Sequence, residues 1–408
     1  MSRPLLLAAA PGRRSLRGCA LLLVVSLVAA GCSGDQSTDT TGEPGRATAT
    51  APAERPGRTS EAAPRTEEPE PAVQVNGVPR GPRRVAQALY GGGDVPARGN
   101  LGTRLARRTP AEQDVTVRGA AGRWQGTRVA VLTHDDDLTL LVEGSRGWQV
   151  VGGQWPSLGI ERPLLGGRRH VLLIGSDARE QQGQPVDRMR ADALQVVGVD
   201  GAGGGGVMGI ARDSWVTMPS GGEAKINQAM VEAGPEGQLE TVRRVTGLPV
   251  EGYVLVGFEG FTAFVDDWGG VTIDAPRAFD GFPEGVQELT GYWLLRWTRH
   301  RKTLPGGDFD RSFHQGVALA GIGLQARGAG PLALPQLLEL VDTHMESNLD
   351  AEQVMTLAAW AYLGKPARFG HEVATGSVGW SGDGQSIVRL DEDARRTFAD
   401  FTDGRLGD

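Results

Sequence analysis

Val171-Leu172-Leu173-Ile174-Gly175-Ser176-Asp177-Ala178-Arg179 opens the part of the chain whose fold can be read directly. Four apolar residues in a row, closed by small and turn-forming ones, are too short for a helix and lack alternation. They read as a strand buried on both faces. Runs of the same kind recur at 193–199, 207–211 and 253–256, and helical periodicity fills 225–232, 237–246, 258–268, 311–327, 331–344 and 351–363. Strands alternating with helices predict an α/β domain with helices on both faces of a sheet, spanning 168–365 and followed by a C-terminal extension, 366–408.

Upstream of Arg168 the pattern changes. Val115-Thr116-Val117, Arg128 to Leu132, Leu138 to Val142 and Trp148 to Val151 are short β-type runs separated by Asp135-Asp136-Asp137 and Gly144-Ser145-Arg146-Gly147. They predict a small β-meander over 85–165. The Asp135 to Asp137 run lacks the spaced ligands and closing glutamate of a calcium loop and reads as a hairpin turn. Residues 32–84 hold almost no large apolar side chain and are expected to form a disordered tether. Before them, Arg3, Arg13, Arg14 and Arg17 precede an apolar run from Cys19 to Ala30, the signature of a signal segment over 1–31. Ala29-Ala30-Gly31-Cys32 resembles a bacterial lipobox, with Ala29 where leucine is usual, so Cys32 is the expected lipidation site. Removal of Cys19 with the signal leaves Cys32 alone, and the mature chain must be stabilised by burial without a disulfide.

The chain has 408 residues, 42 Lys and Arg against 49 Asp and Glu, and a net charge of -7. That balance argues against a general nucleic-acid binder, whose affinity depends on neutralising many phosphates. Its 61 glycines and 24 prolines predict many turns.

Polar residues gather at the strand ends, where α/β proteins place their sites. Asp177 follows one strand and Asp192 precedes the next; the two either share a hard divalent ion or serve as turn and cap residues. Ser176 lacks the GxSxG elbow of a hydrolase nucleophile. Arg212 leaves the third strand and Lys225 is expected at a helix start; both reach a central anion, or else Arg212 forms a structural bridge with Asp213 or another acid. The stretch Arg299-His300-Arg301-Lys302-Thr303-Leu304-Pro305-Gly306-Gly307-Asp308-Phe309-Asp310-Arg311-Ser312-Phe313-His314-Gln315 is either a solvated charged face or a phosphate site. Asp308, Arg311 and Gln315 fall at i, i+3 and i+7 on one helix face, and Gly306-Gly307 supplies a turn that returns Arg299 and Arg301 over it. Phe309 and Phe313 are expected in the core. His300 and His314 are either candidate bases or structural histidines.

In sequence order these motifs are Gly-Ser-Asp-x-Arg, Arg-x-Asp, Ala-Arg-Asp-Ser, Lys-Ile-Asn and Arg-x-Arg-x-x-Leu-Pro-Gly-Gly-Asp-Phe-Asp-Arg-x-x-x-Gln. Together with Thr246-Gly247-Leu248-Pro249, Phe258-Glu259-Gly260-Phe261 and Asp267-Trp268-Gly269-Gly270-Val271, the series resembles the LytR-CpsA-Psr family from about Arg168 to Leu363. The resemblance implies an α-β-α sandwich with a central mixed sheet. It also implies a Mg2+-dependent phosphotransferase that moves a glycopolymer from a polyprenyl-diphosphate carrier to a peptidoglycan acceptor outside the cytoplasmic membrane, and the lipobox-like Ala29 to Cys32 predicts a lipoprotein anchored to the outer face of that membrane.

Carried over by position, Asp177 and Asp192 hold the metal. Arg190, Arg212, Arg299, Arg301, Arg311 and Gln315 contact the diphosphate, and Arg299, Arg301, Asp308 and Arg311 form the catalytic set, with Asp308 orienting arginines or acting as base. An apolar channel for the polyprenyl chain is expected beside 258–268 and 319–324. His314 stands where the family usually has an arginine. The competing readings are a polyprenyl-diphosphate hydrolase and a non-catalytic envelope protein that binds lipid or glycan.

Overall fold

The computed structural model describes residues 71–407. The signal segment, Cys32 and most of the expected tether lie outside the described residues. The first described elements are β1 (Val73–Asn76), α1 (Arg80–Tyr90), α2 (Gly99–Leu105), β2 (Val115–Trp124), β3 (Thr127–His134), β4 (Asp137–Gly144), β5 (Gly147–Trp155) and β6 (Ile160–Leu164). They build a six-stranded sheet in sequence order, antiparallel from β2 onward. The boundary drawn at residue 84 is corrected: β1 pairs in parallel with β2, Val73 opposite Val115, and α1 buries Val85, Ala86, Leu89 and Tyr90. A strand of four residues among prolines and glycines has too little periodicity to be seen without its partner.

Side-chain alternation along β3 and β4 gives the module two buried faces. Ala130, Leu132 and Leu141 pack with α1, whereas Val129, Val131, Leu138 and Leu140 join Leu334, Leu338, Met355 and Trp360 of the following domain. Buried Trp124 also donates its indole N–H to the Leu349 carbonyl at 2.8 Å. The meander is therefore fused to the α/β domain through a shared core.

That domain comprises β7 (Arg169–Ser176), β8 (Ala191–Val199), β9 (Gly205–Ile210), β10 (Trp215–Thr217), β11 (Glu223–Lys225), α3 (Gln228–Thr246), β12 (Val250–Val256), α4 (Phe258–Asp267), β13 (Val271–Ala275), β14 (Gly285–Leu289), α5 (Gly291–Arg299), α6 (Asp308–Ala329), α7 (Leu334–His344), β15 (Glu346–Ser347), α8 (Ala351–Ala358), α9 (Trp360–Leu363), β16 (Phe369–Ala374), β17 (Gly376–Trp380), β18 (Ser386–Leu390) and α10 (Glu392–Asp400). The central sheet runs β15-β12-β7-β8-β9-β16. It is mixed: β12 is parallel to β7 and β16 to β9, and the other pairings are antiparallel. The ends of β7, β9, β12 and β16 and the start of β8 consequently lie at one edge.

One face of the sheet packs Leu172, Ile174, Leu194, Val196 and Met208 against Met230, Leu239 and Val242 of α3. Phe398, Phe401 and Leu406 belong to the same cluster and β16 completes the sheet, so the segment 366–408 is part of the domain and not an appendage to it. A small satellite core collects Phe264, Val265, Val271, Ile273, Leu294 and Trp297 around α4, α5 and the β13–β14 hairpin. Helix α5 has no counterpart in the sequence reading; nine residues are too few for a helix to declare itself without the partners that bury Leu294 and Trp297. Lys225 is not at a helix start. It pairs with Trp215 in the β10–β11 hairpin, and α3 begins three residues later.

Candidate active site

Backbone geometry assembles the site before any side chain does. Residue 177 follows β7 and residue 190 precedes β8; their backbones are tied by Asp177 N–H to the Arg190 carbonyl at 2.9 Å, and Arg190 N–H to Asp177 Oδ1 at 2.9 Å. Arg212 leaves β9. Helix α6 starts after Gly307, whose φ of 55° lies in the left-handed region that glycine tolerates. The helix then lies directly on β9, because an added Cβ at Gly209 would collide with Ser312 Oγ. From below, Gln195 of β8 donates to the Ser312 carbonyl at 3.0 Å and to Gln315 Oε1 at 3.3 Å. These contacts set the height at which Asp308 and Arg311 meet Arg212.

The side chains form one charged network. Arg212 bonds Asp192 through one terminal nitrogen and places its Nε 3.7 Å from Asp308. Arg311 approaches Asp308 at 2.6 Å and Asp192 at 3.9 Å, and Arg301 reaches Asp308 at 3.8 Å. Arg299 closes the group from the end of α5, its guanidinium stacked 3.9 Å from the Phe258 ring centroid at the start of α4. Asp213 and Lys225 pair at 3.0 Å beside the network, so Lys225 serves as a structural bridge whose partner is Asp213. Arg212, by contrast, selects Asp192 and Asp308 over its neighbour Asp213.

Burial dominates the electrostatics. It raises the Asp308 carboxyl above the ordinary range despite Arg311, and raises Asp177, with the Asp192 charge adding to the effect. It lowers Arg311 and Arg299, with nearby aspartates opposing the shift. For Arg212 burial also works against the charge, but Asp192 and Asp308 outweigh it and its affinity for the proton rises. Capacity is left over: both Asp308 oxygens and the Nε atoms of Arg212 and Arg311 are buried without a partner in hydrogen-bond geometry. Buried polar atoms of this kind are costly unless something binds them.

Asp177, Asp192, Arg212, Arg299, Arg301, Asp308 and Arg311 are thus gathered at one edge of the sheet. Arg190 joins through its backbone, and its charge acts on Asp177. Gln315 sits deeper, its oxygen committed to Gln195, so only its amide NH2 remains for an anion. His314 is elsewhere. It is fully buried, stacked 4.6 Å from Phe279 and 4.5 Å from Trp297, with neither ring nitrogen partnered. Desolvation, helped by Arg277, lowers it to about 4, so it stays neutral near pH 7 and cannot tune an anion site. His300 likewise stacks on Phe279 and contacts Thr303 and Asp280. Gln195 escaped the sequence reading, and Phe258, noted there for a family signature and the expected apolar channel, carries Arg299, a role the sequence did not reveal. A lone glutamine inside an apolar strand was the available signal for Gln195.

The LytR_cpsA_psr family profile matches residues 164–392, more than half of the chain. The chain belongs to the LytR_cpsA_psr family. A polyisoprenyl-teichoic acid–peptidoglycan teichoic acid transferase TagU of Bacillus anthracis is 30% identical over 196 residues, covering 46% of this chain and 62% of that protein. The cell wall biosynthesis protein LcpA of Corynebacterium glutamicum is 27% identical over 289 residues, covering 57% of this chain and 55% of its own length. The crystal structure of B. subtilis TagV matches with a TM-score of 0.50 at 24% identity, covering 58% of this chain and 98% of that one. The chain therefore spans under two thirds of the curated relatives, while the TagV likeness establishes the shared LytR_cpsA_psr fold.

Proposed function

We propose that this protein transfers a glycopolymer from a polyprenyl-diphosphate carrier to peptidoglycan. One observation carries the reading: Arg212, Arg301 and Arg311 converge on Asp192 and Asp308 at the sheet edge, and Arg299, stacked on Phe258 and acted on by the Asp192 charge, joins them next to the apolar cluster of α4 and α5. Phosphoryl transfer needs little covalent help from a protein. It needs fixed positive charge around the phosphoryl oxygens and an aligned nucleophile. The names of the TagU and LcpA relatives point the same way.

In this reading an acceptor hydroxyl attacks the phosphorus that carries the glycopolymer. A P–O bond forms to the acceptor, the P–O bond to the polyprenyl phosphate breaks, and the hydroxyl proton passes to Asp308. Its raised proton affinity suits a general base, and its oxygens, ion-paired with Arg311, Arg212 and Arg301, make no contact in hydrogen-bond geometry that would block proton uptake. Arg212 and Arg311, fixed by the aspartates, hold the phosphoryl oxygens. Arg299, flat against Phe258, meets the diphosphate where the lipid leaves it.

Asp177 and Asp192 fit a magnesium ion as a two-carboxylate site. The Asp177 carboxyl feels the Asp192 charge, and Mg2+ is commonly held by one or two carboxylates with substrate phosphates completing the shell. Among the described residues no set of three or more such ligands occurs, so the substrate would have to supply the rest. When bound, the ion would neutralise charge on the diphosphate. The signal pattern and Cys32 support placement on the outer face of the membrane through a lipid anchor.

The test is release of polyprenyl phosphate from a lipid-linked donor by the full chain with Mg2+ and peptidoglycan, with the polymer product identified. Polymer on peptidoglycan, lost in Arg299→Ala, is expected. Polymer released to water instead identifies a hydrolase, and no turnover, with lipid binding retained, a non-catalytic binder.

A further inference from the structure

The β17–β18 hairpin takes no part in the charged network, yet it is built onto it. Its five register pairs run from Gly376 opposite Leu390 to Trp380 opposite Ser386. β18 is anchored: Ile387 and Val388 are buried, Val388 N–H donates to the Asp213 carbonyl at 2.9 Å, and Val388 bridges Ser214. Asp213 is the residue after Arg212. Because β16 is parallel to β9, with Ala374 opposite Ile210, the hairpin leaves the sheet at the same edge as the charged network.

β17 presents the opposite character. Trp380 is 71% exposed and Val378 is 69% exposed, and the two alternate onto one face. The exposed indole and Val378 together make an apolar patch on a short strand, a surface that suits contact with a ligand ring. The turn beside it is held in place: Ser381 N–H donates to the Gln385 carbonyl at 2.9 Å, and Gln385 donates to Asp383 at 2.7 Å. An aromatic plane beside fixed carboxylate and amide groups matches a sugar ring, whose C–H face stacks on the indole while its hydroxyls meet the polar groups.

Position selects which sugar. The sheet order puts β12, and the apolar α4–α5 cluster that follows it, on one side of β7-β8-β9, and β16 with its hairpin on the other. In phosphoryl transfer the attacking and leaving oxygens lie roughly in line across the phosphorus. With the polyprenyl phosphate departing toward α4 and α5, the nucleophile enters from the hairpin side. We infer that Trp380 and the Ser381–Gln385 turn form a lip that binds the glycan strand of the peptidoglycan acceptor and positions it for attack. This deepens the function proposed above and rests on it for the identity of the acceptor.

The experiment uses the full chain, with Trp380→Ala and Trp380→Phe. Calorimetric affinity for a soluble peptidoglycan glycan-strand fragment is measured without donor. KM for acceptor and donor and kcat are measured in turnover. Trp380→Ala is expected to weaken fragment binding and raise acceptor KM about tenfold, with donor KM unchanged, and Trp380→Phe to restore most of the loss. Fragment affinity unchanged in Trp380→Ala overturns the inference. So does a rise confined to donor KM, or an effect on self-association alone. If no variant turns over, including wild type, the transferase reading fails separately, and Trp380-dependent fragment binding still upholds the lip.

Discussion

Replacing His314 by Phe separates a histidine of the anion site from a histidine of the core. The ring is fully buried between Phe279 and Trp297, and both its nitrogens lack partners. Burial lowers it from an ordinary value of 6.5 to about 4. The folded state thus prefers the neutral ring. Its contribution is complete above pH 6.5 and is lost as pH falls toward 4, because the unfolded chain takes up a proton that the folded chain refuses. At pH 4.5 the loss amounts to about 2–3 kcal/mol. A phenyl ring keeps the stacking, removes two unsatisfied nitrogens and does not titrate. His314→Phe should match wild type within about 1 kcal/mol at pH 7 and exceed it by about 2–3 kcal/mol at pH 4.5 in urea unfolding. Turnover should stay within about twofold of wild type. Equal stabilities at pH 4.5, or a tenfold loss of activity, would refute the placement of His314 outside the site.

Arg212→Lys keeps the charge but cannot bridge Asp192 and Asp308 together, so transfer should fall by about 10²-fold, read as polyprenyl phosphate released per minute. Activity within threefold would show that the fork is not needed. Because burial raises the Asp308 carboxyl, the acid limb of the kcat profile should lie above the ordinary carboxylate range, activity falling as pH drops through the raised value; Asp308→Asn should abolish turnover across the profile. Gly316→Ala would drive a methyl group into the His371 ring and lift α6 from the sheet. A fall in stability of about 1–3 kcal/mol, with a matching loss of transfer, is expected from thermal unfolding and activity on the same sample.

The site was legible where the chemistry is local. Asp308, Arg311 and Gln315 announced a shared helix face by spacing alone, and Gly307 sits at the turn that α6 requires. Asp177, Asp192 and Arg212 stood at strand ends, and α/β architecture brings strand ends together. Gln195 and the role of Phe258 were hidden because each acts through a residue far away in sequence: Gln195 by bonding Ser312, Phe258 by carrying Arg299. For His314 the structural alternative holds. Asp310 and Arg311 lie within about one helical turn of it, but a helix turns successive residues to different sides, and position 314 faces Phe279 and Trp297.

By itself, the sequence determined the alternation of buried strands and helices, the motif series and the chemistry that arginines and aspartates bring to a phosphate. Those properties depend on residue type and short spacing. Only the tertiary structure decided that the meander shares a core with the α/β domain and that residues 366–408 complete its sheet. It also decided that Arg212 bridges Asp192 and Asp308, and not its neighbour Asp213, and that the β17–β18 hairpin stands at the edge of the site. Each of these rests on pairing between segments distant in the chain, set by burial of one against another, which no local pattern encodes.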